Sequence, residues 1–288
     1  MVPPVLATVV RVSRPAGWAF GPILFAIGLV HSPHGSAGIA KYAALQLFSL
    51  SFPLALVVFG VNDVYDYPSD ARNPRKLADA LEGTVLLPEF HPAVTTAAWI
   101  ATAFISATSL LSARRANISV VTVLLALAWQ YSAPPLRFKE RPVLDSLSNG
   151  AIVDLAYLAG YTAGGGALDA RMLRLRGHVL GLCTAGVHAL GAAVDVAADA
   201  AVGQRTIATV YGPRAAAAFG LFNFLFAFAV ERSFSVFGVY ILGGIVIMSS
   251  VIVDLGLSHL AFQTVVYWTV IMSVAWFVQK ATSFSKHV

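Results

Sequence analysis

The chain has 288 residues, of which 58% are hydrophobic and 11% are charged, and its mean hydropathy is +0.75. A typical soluble domain carries roughly 25% charged residues, so the composition excludes that class and predicts an integral, multi-pass membrane protein. The net charge is +5, but the basic residues form no contiguous tract. This scatter argues against nucleic acid as a partner and favours contacts with anionic membrane lipid or an anionic substrate. Cys183 is the only cysteine, which excludes an internal disulfide and a cysteine-cluster metal site.

Apolar segments of about the length that crosses a bilayer recur along the chain. Because lipid offers no hydrogen-bond partner to the backbone, segments of this length are expected to be helices. Divided at Pro, Gly and charged residues, the sequence predicts about nine transmembrane helices, bundled as an all-α single domain over residues 1–288 around a central cavity. The predicted spans are 16–32, 41–62, 91–112, 117–131, 146–166, 178–200, 213–230, 234–254 and 257–279.

Three longer polar connections follow the second, fourth and sixth predicted spans, at residues 63–90, 132–145 and 201–212. Since each follows an even-numbered span, all three are expected on one face of the membrane, where they can cap a single cavity. Lys and Arg are divided almost equally between the two faces, so the positive-inside rule does not assign an orientation.

An acidic cluster follows the second span. Asn62, Asp63, Asp66 and Asp70 have a spacing that places the three carboxylates on one face if the segment is helical. Pro68 is expected to kink or end that helix just before itself. The sequence therefore leaves open whether Asp70 belongs to the helix or to the following loop.

A second acidic pair, Asp195 and Asp199, lies at i and i+4 near the end of the sixth span. An ionised side chain near a bilayer centre costs about 2.5 to 3.5 kcal/mol on insertion scales, so such clusters predict a polar cavity that holds positive charge. Mg²⁺ fits, because it takes one or two carboxylates plus water and substrate phosphate oxygens. A proton or sodium path and simple helix capping are the alternatives.

Donor side chains surround both clusters and suit phosphate oxygens, Arg through bidentate bonds and Lys as a point charge. They are Arg72, Asn73, Arg75, Lys76, Arg137, Lys139, Arg141, Arg205 and Thr206. Their position beside acidic clusters favours Arg72, Lys139 and Arg205 as ligands of a diphosphate over contacts with lipid headgroups.

Two further side chains have a structural and a functional interpretation. Tyr131, at the end of the fourth span, is either an interfacial tyrosine or a ring that faces a cationic intermediate. His188 lies seven residues before Asp195 and either packs between helices or lines the same cavity.

The two acidic clusters resemble the N-D-x-x-D-x-x-x-D and D-x-x-x-D motifs of the UbiA superfamily of intramembrane prenyltransferases. The segment Ser13-Arg14-Pro15 and the stretch Gly203 to Gly212 also lie where that family has similar features. Within the superfamily, the chain is most similar to the lycopene elongase-like branch, on residues 62–76, 131–150 and 205–209.

The resemblance implies a nine-helix bundle with two Mg²⁺ ions, for which Mn²⁺ can substitute. By resemblance, Asp63 and Asp66 would hold one ion and Asp195 and Asp199 the other. The supporting residues implied are Asn62 and Asp70 for the first site, and Arg72, Arg137, Lys139 and Arg205 for the diphosphate.

The implied reaction is ionisation of an isoprenyl diphosphate and transfer of the prenyl group to a lipophilic acceptor. Two departures from the branch bear on the acceptor: Ala200 stands where Arg is expected, and Asp154 lies in an apolar helix. The alternative is therefore a class I terpene cyclase on the same scaffold, which converts a diphosphate such as farnesyl or geranylgeranyl diphosphate to a cyclic terpene. The acidic motifs serve ionisation in both cases and do not distinguish the two.

Overall fold

The computed structural model describes residues 4–33, 41–72 and 85–285, and within these ranges the regular structure is entirely helical. The α-helices of these ranges are α1 Pro4–Val12, α2 Phe20–Val30, α3 Lys41–Ser49, α4 Phe52–Ala55, α5 Val61–Asp70, α6 His91–Leu111, α7 Arg115–Ser132, α8 Leu144–Ala163, α9 His178–Ala201, α10 Ile207–Tyr211, α11 Pro213–Glu231, α12 Val236–Val253 and α13 Ser258–Ser285. A π-helical turn, Leu56–Gly60, joins α4 to α5.

The chain divides into two compact units. Unit 1 comprises Met1–Lys139 and Ala151–His178, and unit 2 comprises Glu140–Gly150 and Val179–Val288. The prediction of a single domain stays a prediction.

Six helices in the described part of the chain are long and apolar enough to cross a membrane, which confirms the multi-pass class but not the predicted number of nine. They are Tyr42–Asp70, Pro88–Leu111, His178–Ala201, Pro213–Glu231, Val236–Val253 and Leu255–Lys280. The other three predicted spans coincide with α2, α7 and α8.

Within unit 1, α2 and α8 approach each other closely through glycine. A Cβ on Gly28 would lie 1.9 Å from the Tyr157 carbonyl oxygen, and a Cβ on Gly160 would lie 1.9 Å from that of Phe25. Any side chain larger than hydrogen would separate the helices, which is the small-residue packing expected between helices in lipid.

A buried polar network centred on Asn117 joins α3, α6, α7 and α8 of unit 1. The Asn117 Nδ2 group donates to Gln46 Oε1 at 3.2 Å and to the Ala159 carbonyl at 2.9 Å. Asn117 Oδ1 accepts from Gln46 Nε2 and from Ser109 Oγ, each at 2.8 Å. Because Asn117 and Gln46 are fully buried, this network specifies which helix faces meet in an otherwise apolar bundle.

The variant Asn117→Leu is expected to lower the free energy of unfolding by about 2 to 4 kcal/mol, since it leaves several buried partners without a bond, at about 1 to 3 kcal/mol for each unsatisfied group. Thermal unfolding in detergent measures this. Thr122→Val is the matched control, because Thr122 lies on the same helix and is exposed. Equal unfolding midpoints for the two variants would contradict a structural role for the network.

Within unit 2, α11 packs against α9 and α12. A Cβ on Gly220 would lie 3.0 Å from the Gly186 carbonyl oxygen, and the ring of Phe224 lies against Gly244. The short helix α10 packs on α9 through small apolar side chains, among them Ala189, Ala193 and Ala208. The segment after the second acidic pair is therefore held against the helix that carries that pair.

Helix α5 does not end at Pro68, the second of the two outcomes expected there. Helix α5 continues through Pro68 to Asp70, and the Ala71 amide donates to the Tyr67 carbonyl at 3.0 Å. Pro68 removes one ladder bond and disfavours the turn before it, but only one turn of helix follows, so little structure depends on the lost bond. Asp70 therefore lies on the helix, and the polar connection predicted at residues 63–90 begins after it.

Residues 73–84 of that connection lie outside the described residues, and with them the predicted phosphate ligands Asn73, Arg75 and Lys76. The other two connections contain short helices, Phe138–Glu140 in the first and α10 in the second.

Candidate active site

The first acidic cluster lies on α5 of unit 1, directly after the π-helical turn. Asp63 and Asp70 are 1% and 6% exposed, and the Asp66 side chain is 12% exposed. π-helical turns are rare and occur frequently at functional sites. Three nearly buried carboxylates on one helix require compensating cations or ligands.

Asp63 is paired with Arg14, which lies between α1 and α2. The Arg14 Nη2 atom donates to Asp63 Oδ1 at 3.0 Å. The guanidinium carbon lies 4.6 Å from the centroid of the Phe59 ring, within cation–π distance. Arg14 adopts a left-handed backbone conformation, with φ 51°, immediately before Pro15. This turn directs the chain between α1 and α2 beside α5.

Asp66 is paired with Lys139, which the sequence also assigned to the site. The Lys139 ammonium contacts Asp66 Oδ1, and the lysine side chain is only 3% exposed. A buried ammonium is costly unless it is paired with a carboxylate. Lys139 lies on the 3₁₀ turn Phe138–Glu140, and its role as a diphosphate ligand stays a prediction.

The end of α7 lies next to α5. Asn62 Nδ2 donates to Ser132 Oγ at 3.1 Å. Tyr131 directly precedes Ser132, so it lies at the end of α7 that contacts the acidic cluster. Tyr131 is half-buried. Arg137 lies in the turn that follows, with φ 41° and its amide bonded to the Ala133 carbonyl. This turn carries the chain from α7 to Lys139.

Arg72 lies two residues beyond the end of α5 and is exposed. Its amide donates to the Ser69 carbonyl at 3.0 Å. The residue is held near the acidic cluster by its backbone, and its role as a diphosphate ligand stays a prediction.

The second acidic pair lies on α9 in unit 2. Asp195 and Asp199 are one turn apart and half-buried. The Asp199 carbonyl accepts the amides of Val202 and Gln204 at 3.2 and 2.9 Å, and Gly203 has φ 73°. This glycine turn ends α9 at Ala201, two residues after Asp199, as expected for a C-terminal cap.

Arg205 follows the cap and is exposed. After it, Thr206 caps α10 through a capping box with Thr209. Asp145, which is fully buried, accepts the Ile207 amide at 2.9 Å through Oδ2. The Asp145 carboxylate therefore fixes the position of the first residue of α10. Arg205, two residues earlier, is held near that point by the backbone.

His188 forms a hydrogen-bond contact with Ser146, with Nδ1 3.2 Å from Oγ. This contact joins α8 and α9 within unit 2, and the alternative place of His188 at a cavity stays a prediction.

The sequence did not identify Arg14 or Asp145 as site residues. The only signal for Arg14 was its place in the Ser13-Arg14-Pro15 segment, and Asp145 appeared as an isolated acidic residue. Their partners, Asp63 and the Ile207 amide, are far away along the chain. Periodicity does not reveal such pairs.

Among the described residues, no group of three or more His, Cys, Asp or Glu side chains could hold a metal ion by itself. The first acidic cluster instead provides three carboxylates on one face of its helix, and the second provides two. Such donor sets fit a hard cation that takes further ligands from a phosphate-bearing substrate.

The chain is similar to known proteins over most of its length. The family model described as UbiA prenyltransferase family matches residues 19–270. A lycopene elongase/hydratase of Corynebacterium glutamicum is 33% identical over 221 residues, which cover 75% of this chain and 73% of the relative. A lycopene elongase/hydratase of Haloarcula japonica is 31% identical over 220 residues, which cover 74% and 70%.

The fold is similar to that of a solved UbiA homologue from Archaeoglobus fulgidus, determined with DMAPP and Mg²⁺ bound. The two share a TM-score of 0.66 at 18% identity, over 93% of this chain and 99% of the homologue. At that identity the likeness concerns the fold alone, while the family model and the curated relatives confirm the resemblance found in the sequence. The chain belongs to the UbiA prenyltransferase family of integral membrane enzymes.

Proposed function

We propose that this enzyme ionises an isoprenyl diphosphate with the help of Mg²⁺ and transfers the prenyl group to a lipophilic polyene of the carotenoid class. The observation that carries the proposal is the pairing of nearly buried carboxylates with cations on α5, where Asp63 meets Arg14 and Asp66 meets Lys139. Carboxylates and cations side by side on one helix of a membrane protein suit a substrate that carries both a negatively charged diphosphate and its Mg²⁺ ions. The curated relatives that are named lycopene elongase/hydratase support the acceptor class.

Asp63 and Asp66 would hold one Mg²⁺ ion, with Asn62 and Asp70 in support, and Asp195 and Asp199 would hold a second. All of these are oxygen donors, which Mg²⁺ prefers, and neither set is large enough to complete an octahedral shell without water and phosphate. When bound, the ions supply positive charge that stabilises the departing diphosphate.

The cations of the chain act on the same leaving group. Lys139 and Arg14 already lie at the acidic cluster, so they can contribute positive charge where negative charge develops as the bond to carbon breaks. Arg72, Arg137 and Arg205 add donors on the connections that follow α5, α7 and α9. Preorganised charges of this kind need no rearrangement during the reaction.

The prenyl group left behind is an allylic carbocation, which water would convert to an alcohol. A chamber closed by apolar helices would exclude water, and the aromatic face of Tyr131 can stabilise positive charge. Attack by a double bond of the acceptor then forms the new carbon–carbon bond and moves the positive charge to the acceptor. The acceptor cation becomes neutral by losing a proton from the adjacent carbon to the departed diphosphate or to water.

Product analysis by mass spectrometry tests the proposal. Purified protein in lipid, with Mg²⁺, receives dimethylallyl, geranyl, farnesyl or geranylgeranyl diphosphate, each with and without lycopene. The expected result is consumption of one diphosphate only when lycopene is present, with a product heavier by one prenyl unit. A cyclic hydrocarbon or terpene alcohol formed from diphosphate alone would replace prenyl transfer by the cyclase alternative.

A further inference from the structure

The connection between α8 and α9, residues 164–177 of unit 1, carries a cluster of exposed side chains that has no part in the ionisation described above. The cluster consists of three arginines and two leucines: Arg171, Arg174, Arg176, Leu168 and Leu173. Leu173 is 72% exposed and lies on the short 3₁₀ helix Met172–Arg174. With Asp169 as its one acidic residue, the connection has a net charge of +2.

Both ends of the connection pack directly on α8 through glycine. A Cβ on Gly166 would lie 2.2 Å from the ring of Tyr161, and a Cβ on Gly177 would lie 2.1 Å from the ring of Tyr157. The two tyrosines are 6% exposed and fully buried, respectively. Because the rings fill the space that a side chain would need, the backbone at each end of the connection lies flat against the helix.

His178 holds the middle of the connection. Its Nε2 atom lies 2.8 Å from the Met172 carbonyl oxygen, and its Nδ1 atom lies 2.9 Å from Oδ1 of Asp154 on α8. A carbonyl oxygen only accepts, so the Nε2 atom donates this bond. The ring thus links the 3₁₀ turn to α8, and Asp154, a carboxylate in an otherwise apolar helix, obtains the polar partner that it requires there. The backbone is fixed in this way, while the arginine and leucine side chains stay exposed.

The connection lies at the membrane surface, away from the first acidic cluster. Helix α9, which is long and apolar enough to cross a bilayer, begins directly after it. Before α2, Arg14 meets Asp63, whereas His31, directly after α2, places its Nδ1 atom 3.0 Å from the Tyr157 hydroxyl. Helix α2 has 11 residues, which at 1.5 Å per residue span about 16 Å. A diphosphate bound at the acidic cluster therefore does not reach the arginines of the connection.

The arginines of the connection suit the oxygens of a phosphate group. Arg171 donates to Asp169 Oδ2 from Nε at 3.1 Å and from Nη2 at 2.9 Å. A guanidinium has five N–H donors, so this bond orients the group and leaves three donors for another ligand. Arg174 lies one turn further on, beside the exposed Leu173. Cations next to exposed apolar side chains are typical of segments that lie in a membrane interface, with the apolar groups towards the acyl chains and the cations among the headgroups.

We propose that the α8–α9 connection is a binding site for anionic membrane lipid. The three arginines bind the headgroup phosphate, and Leu168 and Leu173 enter the acyl-chain region beneath it. A connection with net positive charge prefers a lipid whose headgroup keeps its negative charge over a zwitterionic lipid, in which an amine or choline group cancels the charge of the phosphate. A soluble phosphate has no acyl chains for the two leucines to contact, so the ligand is a lipid. The site does not depend on the reaction that the enzyme catalyses.

Lipid binding is measured by native mass spectrometry of full-length protein in detergent, titrated with phosphatidylglycerol or with phosphatidylcholine. The wild type is expected to bind phosphatidylglycerol more tightly. The triple variant Arg171→Gln, Arg174→Gln, Arg176→Gln should lose at least about 20-fold in affinity for phosphatidylglycerol, and Arg174→Gln alone should lose about fivefold, the usual contribution of one arginine near an anionic surface. Affinity for phosphatidylcholine should change little. The single variant keeps the test valid if the triple variant does not fold.

The matched control removes the same charge at the ends of other helices, with the substitutions Arg114→Gln, Arg115→Gln and Arg232→Gln. It should leave most of the affinity for phosphatidylglycerol in place. Equal affinity of the wild type for the two lipids overturns the proposal. An equal loss in the control and in the triple variant also overturns it, because the attraction would then belong to the charge of the whole surface rather than to this site.

A spin label on Leu173→Cys tests the position of the connection in vesicles that contain phosphatidylglycerol. The native Cys183 is buried, so the label attaches to the new thiol. Oxygen, which concentrates in the bilayer, should relax the label more strongly than a nickel chelate that stays in water. The opposite order overturns the proposal. Prenyl transfer in neutral detergent should be unchanged in the triple variant, and its loss there would place the arginines in the reaction and likewise overturn the proposal.

Discussion

Asp66→Asn and Asp195→Asn are each expected to lower kcat for prenyl transfer by about 10³-fold or more. Each replaces a carboxylate that would hold a different Mg²⁺ ion, and removal of one preorganised electrostatic group from an active site typically costs 10²- to 10³-fold. The measurement is single-turnover release of diphosphate by purified protein in lipid. The control Asp254→Asn changes an acidic residue that caps the turn after α12, and its activity should stay within about twofold of the wild type.

The two variants are expected to differ in stability. Asp66→Asn leaves the buried Lys139 ammonium without its carboxylate, which costs about 3 to 5 kcal/mol when one partner of a buried pair is removed. Asp195 is half-buried, so its loss should cost less. The double variant Asp66→Asn, Lys139→Met removes both charges and is expected to recover stability without activity. Activity at the wild-type level in either single variant would reject the two-metal assignment.

Removal of divalent cations is expected to abolish prenyl transfer completely and reversibly. Chelation with EDTA should stop diphosphate consumption, and added Mg²⁺ or Mn²⁺ should restore it. Ca²⁺ is expected to restore little activity, because it prefers six to eight ligands at longer distances than Mg²⁺. Full turnover in EDTA would exclude the metal-dependent ionisation.

Measurement of diphosphate binding separates the role of the metal in binding from its role in catalysis. Inorganic diphosphate with Mg²⁺ should raise the unfolding temperature of the wild type more than either alone, because a ligand that binds only the folded state stabilises it by mass action. The same shift should be lost in Asp195→Asn. A shift of the same size produced by diphosphate without Mg²⁺ would assign its binding to the cationic side chains rather than to the metal.

The helical class, the multi-pass topology and the family could be predicted from the sequence. These properties depend on local features, namely apolar segments of bilayer length and the spacing of acidic residues along one helix. The sequence also predicted Lys139 as a ligand of the diphosphate, but it did not predict that the Lys139 ammonium pairs with Asp66. The predicted number of nine spans is not confirmed, since α2 is apolar but short, and α7 and α8 contain several polar residues.

Helix α5 continues through Pro68 for a local energetic reason. Proline disfavours the interior of a helix, but at the last turn it removes a single bond while the rest of α5 is already formed. The ion pairs of Asp63 with Arg14 and of Asp66 with Lys139 further stabilise the part of α5 that bears these two carboxylates. Asp70 consequently belongs to the same helix face as the other two carboxylates.

The amino-acid sequence by itself determined that this chain crosses a membrane and carries two acidic motifs, because hydropathy and helical spacing are properties of neighbouring residues. Only the tertiary structure decided which groups those residues meet. Arg14 reaches Asp63 across 49 positions of sequence, and His178 reaches Asp154 across 24. Such pairs form because buried charges and polar groups must find partners in an apolar bundle, and the partner is whichever side chain the helix packing brings within reach.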